Sequence, residues 1–508
     1  MSINATLSIA TGGLAAVSRE LALVSQNIAN ANTPDYAREI ATQTALTAEG
    51  QGLGVHVGPA TRLVDTVLQA AALRQNAVVA DLQARQSALQ AIDAAQGTPG
   101  DGTDLPSLLG KLQSAFSTLL NQPADQTQQS AVVAAAGTLT QGINDLSEAY
   151  ATQRQDAQDA LVTAVGTLNA TIADIGRLSD QIIALQGGGQ STADLENQRD
   201  AALHTLSDLI DLRVLHQANG DVVLSSSGGL SLPVHGTGAA LATTGANLHA
   251  GAYYPGGGIP GITLNGVDVT RELTGGRIGA ALTLRDLTLP TAQAELDEFA
   301  QTLATRFDAQ GLRLFSDPTG AVPPGGGTPV QSTYVGFAAS IQVNPAVRAN
   351  PTLVRDGTTA IAGSATGASA FTPNPASGPA GFTTMITRVL TYALGREVQS
   401  GVPQPAANTT GLGPDGTLRA PYVAPLSLGD MATTMVAAQA QDSSLTSARL
   451  ATEQAVQSGL AARLSAMSGV NVDTEMAHMI TLQNAYGANA RVMATAQALF
   501  QQLLTMVQ

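Results

Sequence analysis

Apolar residues recur at alternating intervals of four and three at both ends of this chain. At one end the series is Ile3, Leu7, Ala10, Leu14, Val17, Leu21, Val24 and Ile28, the narrow seam of a coiled coil rather than the broader stripe of a globular helix. At the other end Val472, Met476, Met479, Gln483, Tyr486, Ala490, Met493, Gln497, Phe500, Leu504 and Val507 keep the same alternation. Each series predicts a long helix. A lone helix of that kind is marginal in water, so the two seams predict one bundle with neighbouring termini. Gln483 and Gln497 weaken the pair, and both helices are expected to be largely disordered in the free chain and to fold on stacking against identical or related helices. Pro34 fixes its own φ and pushes Thr33 out of the α region, so the first helix must stop before it.

Between the seams the pattern changes several times. Ile40, Thr42, Thr44 and Leu46 alternate like a strand, and a glycine-punctuated turn over 50–58 leads into Val55 and Val57. Helices are predicted from Arg62 to Gln96, from Leu105 to Leu120, and over an unusual length from Gln126 to Leu185, where Gly187–Gly189 ends the run. Asp194 is the expected N-cap of the next helix. Asn219-Gly220, between Arg213–His216 and Asp221–Leu224, is a strong hairpin signal. A helix follows over Leu289–Gln310; glycine, proline, serine and threonine then dominate 317–425, with an apolar helix expected at Phe382–Val398; Leu428–Met467 is helical again. The expected fold class is mainly α with a β-rich insertion: terminal coiled-coil helices, an elongated helical bundle and an outer β-rich lobe. The expected division is a terminal assembly domain (1–36 and 470–508), a helical bundle domain (37–212, 275–314 and 426–469), and a β-rich outer domain in which 213–274 and 315–425 pack together.

Composition narrows the chemistry. Only 12% of the 508 residues are charged, with a net charge of -15 and a single lysine, Lys111; that argues against nucleic acid or an anionic membrane as partner. There is no cysteine, hence no disulfide and no thiolate site. The first basic residue is Arg19 and no basic segment precedes an apolar core, so no cleaved secretory signal is expected. No uninterrupted apolar run nears the roughly 18 residues of a membrane span. Gly256–Gly261 and Gly411–Gly416 fit the dinucleotide glycine spacing, but neither is predicted to join a strand to a helix, and each contains a proline that removes an amide donor. They are turns. The six histidines lack metal-helix spacing, and Asp473 with Glu475 reads as first-turn charge complementing a helix dipole. No catalytic, metal or cofactor site is expected.

Ser25-Gln-Asn-Ile-Ala-Asn30 followed by Thr33-Pro-Asp-Tyr36 resembles the N-terminal signature of bacterial flagellar axial proteins, the rod, hook and hook-associated subunits. Ser468–Asp473, Glu475-Met476, Ala485-Tyr486 and Ala488–Val492 resemble the C-terminal signature of the hook-associated members, and Asp194–Asp200, ending Gln-Arg-Asp, resembles an internal run of theirs. The residues carrying the resemblance are Asn27, Asn30, Thr33, Pro34, Tyr36, Arg199, Asp200, Gly469, Asn471, Asp473, Asn489 and Arg491. Two positions depart from it: Asp35 and Gly487 stand where that family usually has glycine and glutamine. The resemblance implies a structural subunit at the hook–filament junction, not an enzyme and without cofactors. It would self-assemble into a ring through its terminal helices, contact the hook protein and the second junction protein, and be escorted by an export chaperone. It would leave the cell by the flagellar type III route, without a cleaved signal peptide, to become an extracellular part of the flagellum. The alternatives are a hook or distal-rod protein, and an adhesin or hydrolase carried on a helical stalk.

Overall fold

The fold is that of a computed structural model, which describes residues 3–48, 51–97, 100–236 and 240–507. Helix α1 (Ile3–Ala29) leads into a hairpin of β1 (Glu39–Ala48) and β2 (Gln51–Arg62). Helices α2 (Thr66–Gln96), α3 (Leu105–Asn121), α4 (Gln126–Gly187) and α5 (Ala193–Leu209) follow. A second hairpin, β3 (Leu212–His216) with β4 (Val222–Ser226), precedes α6 (Gly276–Thr283), which passes through a π-helical turn into α7 (Leu289–Ala309). Three short helices, α8 (Pro345–Ala349), α9 (Leu353–Asp356) and α10 (Thr384–Arg388), interrupt a loop-rich stretch before α11 (Leu428–Ser468) and α12 (Val472–Val507). The class is mainly α with a β-containing insertion. Among the described residues the strands form small separate antiparallel ladders of two or three strands.

Helix α4, 62 residues and roughly 90 Å long, is the axis of the body. Asp125 caps it, accepting from the amides of Thr127 and Gln128 at 2.7 and 3.4 Å. Its apolar file is buried along the whole length, from Val132, Leu139 and Ile143 to Leu168, Ile175 and Ile182. Two cores grow on it. Around its first half α3, α7, segment 312–347 and the start of α11 close over Phe116, Phe307 and Phe315, whose successive ring centroids lie 6.1 and 5.1 Å apart. Around its second half α5, the β3–β4 hairpin and segment 230–273 bury Leu161, Leu203 and Leu224. Arg154 ties the two together, donating to the carbonyls of Arg285 at 2.8 Å and Ala252 at 2.7 Å, and burial lowers its pKa to about 10. The two excursions, expected to share one β-rich lobe, thus build on separate cores.

Other expectations also shift. Thr192, not Asp194, occupies the N-cap of α5. The apolar stretch from Phe382 yields only α10 and a π-helical turn, and the strands within 315–425 are two or three residues long. Counting unbroken apolar runs missed α1: Ala5–Ala29 is long and apolar enough, by length and composition, to cross a membrane, with a mean hydropathy of 1.3. In the structure that helix lies against α12 and the β1–β2 hairpin. Helices α2 and α11 form a second antiparallel pair, with Val79 and Leu82 on Leu450 and Asn76 bonded to Gln457 at 2.9 Å.

Candidate assembly site at the root of the terminal helices

Helices α1 and α12 run antiparallel. Val17, Val24 and Leu482 are buried between them, flanked by Leu21, Ile28, Met479 and Ala485. Higher up, Gly13 makes room for the Asn489 side chain, which would lie 3.2 Å from a Cβ there; Gly487 faces open space. Of the N-terminal seam, Ala10, Val17 and Val24 are buried, while Leu7, Leu14, Leu21 and Ile28 are half-buried. Of the C-terminal seam, Met479, Ala490 and Met493 are half-buried; Val472, Met476, Tyr486 and Phe500 are exposed, as are Gln483 and Gln497. The file that α12 turns toward α1 includes Glu475, Met479, Leu482, Ala485, Asn489, Met493 and Ala496, and it shares only Met479 and Met493 with the expected one. The side chains of Ile3, Leu504 and Val507 lie outside those described.

The exit of α1 is locked by side chains that imitate backbone. The Asn30 amide donates to the Gln26 carbonyl at 3.1 Å, and the Thr33 hydroxyl to Asn30 Oδ1 at 3.2 Å. Pro34 follows, and Asp35 takes φ 62°, the left-handed conformation that a glycine would adopt without strain. Asn27, 1% exposed, pairs with Glu39 as a strand would: its Nδ2 donates to the Glu39 carbonyl at 2.9 Å, and its Oδ1 accepts from the Glu39 amide at 3.0 Å. The Tyr36 hydroxyl donates to the same Oδ1 at 3.0 Å. Asn197 of α5 does likewise for Ala37, at 3.1 and 3.3 Å. The segment between α1 and β1 is therefore held by an asparagine on each side.

Helix α12 is pinned to this lock. Arg38 donates from its amide to the Ser468 carbonyl at 2.7 Å and from Nε to Glu475 Oε1 at 2.6 Å, with Glu475 1% exposed. Glu475 is thus a buried ion-pair partner rather than a first-turn charge alone. Asn471 accepts from the Thr474 amide at 3.0 Å and caps the helix, while Gly469 accommodates the α11–α12 corner, where a Cβ would sit 2.4 Å from the Ser465 carbonyl. Asp473 and Arg491 are exposed. Beneath the lock, Arg62 bonds Glu196 at 2.9 Å and Asp200 at 2.5 Å, and Arg199, 3% exposed, donates to the Gly220 carbonyl at 2.7 Å. Burial, together with Asp194 beside it, raises the Glu39 carboxyl to about 7. Sequence reasoning missed Arg38, Glu39, Arg62 and Asn197. Arg38 and Glu39 adjoin the N-terminal signature and Asn197 lies inside the internal run, so proximity to those motifs was the available signal. Among the described residues no group of three or more His, Asp or Glu could hold a metal.

Family models match three stretches of the chain. Residues 7–36 match the flagella basal body rod protein, 89–320 the helical domain of flagellar hook-associated protein FlgK, and 464–506 the C-terminal region of flagellar basal body rod FlgEFG proteins. With the paired terminal helices, the end matches define a flagellar axial protein. Flagellar hook-associated protein 1 of Bacillus subtilis (strain 168) is 23% identical over 44% of this chain and 46% of its own length. That of Escherichia coli (strain K12) is 24% identical over 61% of this chain and 57% of its own. Within the axial proteins, then, the helical-domain match and these two relatives make the chain similar to FlgK-type hook-associated protein 1. It spans about half the length of the curated relatives it matches. A solved structure of the flagellar hook junction protein FlgK from Burkholderia pseudomallei aligns with a TM-score of 0.41, at 26% identity over 51% of this chain and 46% of that one.

Proposed function

We propose that the chain is a structural subunit of the hook–filament junction that assembles into a ring through α1 and α12, with the hook on one side and the filament's own junction protein on the other. The observation that carries this reading is the asymmetry of α12. Its root is locked to α1 by the buried Arg38–Glu475 pair, yet Met476, Ile480, Tyr486, Val492, Leu499 and Phe500 are each more than two-fifths exposed. Apolar side chains at that density on one helix are a surface for further helices. The role requires no catalysis. Export by the flagellar type III route, an escorting chaperone and an extracellular position belong to the same proposal, because an exposed apolar helix needs cover before it is built in.

The test is electron microscopy of a strain whose chain is truncated after Gly469, which removes α12 and leaves α4 and both of its cores. Hooks without filaments, with filament protein shed into the medium, are expected. Normal filaments would show that α12 is dispensable and would reopen the stalked adhesin or hydrolase.

A further inference from the structure

Two asparagine–glycine pairs occur in the chain, Asn219-Gly220 and Asn265-Gly266. Each forms the tip of a hairpin. The first lies between β3 and β4, and the second joins strands Thr263–Leu264 and Val267–Asp268, with Leu264 opposite Val267. Asparagine before glycine is chemically labile, because glycine has no side chain to shield its amide nitrogen from the asparagine Cγ. The nitrogen attacks Cγ, ammonia leaves, and a cyclic succinimide forms. Water then opens the ring at either carbonyl, giving aspartate or isoaspartate. No electrons are transferred, and water is the only co-reactant.

Both asparagines are exposed, so exposure does not separate them. The reacting groups do. At the first turn the Gly220 amide donates to the Gln217 carbonyl at 3.1 Å, and Asn219 Oδ1 accepts from the Asp221 amide at 3.1 Å. Gly220 is also pinned from behind: its carbonyl accepts from the buried Arg199 at 2.7 Å, and a Cβ on it would lie 2.8 Å from Ile182 of α4. At the second turn Gly266 is exposed and no atom lies within 4 Å of where its Cβ would be. Among the described residues neither the Asn265 side chain nor the Gly266 amide has a hydrogen-bond partner. Asn265 holds φ 53°; to react, the turn must swing so that the glycine nitrogen reaches Cγ, and nothing clasps it there. We propose that Asn265 is a site of spontaneous modification, converting through a succinimide to aspartate and isoaspartate, whereas the clasp protects Asn219. Isoaspartate lengthens the main chain by a carbon atom between Leu264 and Val267 and adds a negative charge to the turn, so the pairing of those two residues is lost.

The experiment uses the full chain, aged in mildly alkaline buffer once folded and once in guanidinium chloride. No lysine or arginine falls between Arg213 and Arg271, so trypsin leaves both sites on the same peptide and each serves as the other's control. Fragment-ion mass spectrometry reads the conversion of amide to acid at each position, and isoaspartyl methyltransferase with a labelled methyl donor reports the isoaspartate. In the folded chain Asn265 should convert about tenfold faster than Asn219, whose hydrogen bonds must open first. In the denatured chain the two rates should converge. An Asn265→Gln chain should lose most of its methyl acceptance. Equal rates in the folded chain, or a faster Asn219, would overturn the proposal. So would a gap that survives denaturation, which would trace to the neighbouring residues in sequence rather than to the turns, and so would an Asn265→Gln chain that accepts as much methyl label as the parent.

Discussion

Helices α4 and α12 carry the same kind of apolar periodicity and meet different fates. Along α4 the file is buried from end to end by two cores that other parts of the same chain supply. Among the described side chains of α12 only Glu475, Leu482 and Ala496 are buried, and side chains as large as Phe500 remain about half exposed. A seam therefore states that a helix will be packed, not by whom. In the body the partner is the chain itself. At the termini one file is used within the copy, and the neighbouring file stays exposed.

Paired substitutions of similar chemistry break that comparison most sharply. Phe307, fully buried against Phe116 and Phe315, should cost about 3–5 kcal/mol when replaced by alanine, read as a fall in the urea midpoint. Phe500→Ala should leave the free chain within about 0.5 kcal/mol of the parent while reducing its incorporation into flagella. Equal losses of stability from the two changes would mean that α12 is as well packed as α4.

The lock between the two regions comes next. Asn27→Ala strands the buried amide and carbonyl of Glu39 and removes the acceptor of Tyr36, at a cost of about 1–3 kcal/mol. The loss should be local: hydrogen exchange should quicken over α1 and the root of α12, with α4 unchanged. Exchange that quickens along α4 as well would show that the two regions unfold as one.

A smaller effect comes from acids buried in the body. Burial pushes Glu295 on α7 up to about 8, against the bond from Tyr422, and Asp297 up to about 7, against the amides of Gly336 and Ala338. In each the folded value lies above the unfolded one, so the fold favours the protonated form. That stabilisation is complete below the unfolded pKa and is lost as pH rises through 7 to 8. The body should melt several degrees lower at about pH 8.5 than at about pH 5.5. Glu295→Gln should flatten the dependence, and an unchanged slope would place these carboxylates in contact with solvent. Glu39 gives the terminal pair a dependence of the same sign.

What was legible in the sequence follows from how far each contact reaches. Helix α4 could be read because its period resumes in phase after the polar turn at Arg154 and Gln158 and its ends carry Asp125 and a glycine run. The stretch 315–425 could not, because parts of it are held by buried arginines on distant carbonyls, such as Arg306 on Pro405 and Arg388 on Gln310, contacts that leave no spacing to read. In the lock, Asn27 and Tyr36 stood out within the N-terminal motif, but the buried acid that completes it, Glu475, lies at the other end of the chain. Which file of α12 faces α1 is unreadable for a different reason. Apolar residues occupy two adjoining files of that helix, and periodicity alone cannot choose between them.

Gly487 offers the smallest effect and the sharpest use of this comparison. It sits in the interior of α12, where glycine costs about 0.5–1 kcal/mol relative to alanine. Nothing lies within 4 Å of where its Cβ would be, so within one copy Gly487→Ala should raise the helicity of α12 and slow its hydrogen exchange. If neighbouring subunits pack against this part of the helix, the added methyl meets a second backbone in the assembled state, and the substitution that steadies the free chain should impair its incorporation. Gain in the monomer with loss in the assembly would mark Gly487 as a point of close approach between copies. Gain in both would move the contact to another face of α12 and leave the glycine as a purely local weakness.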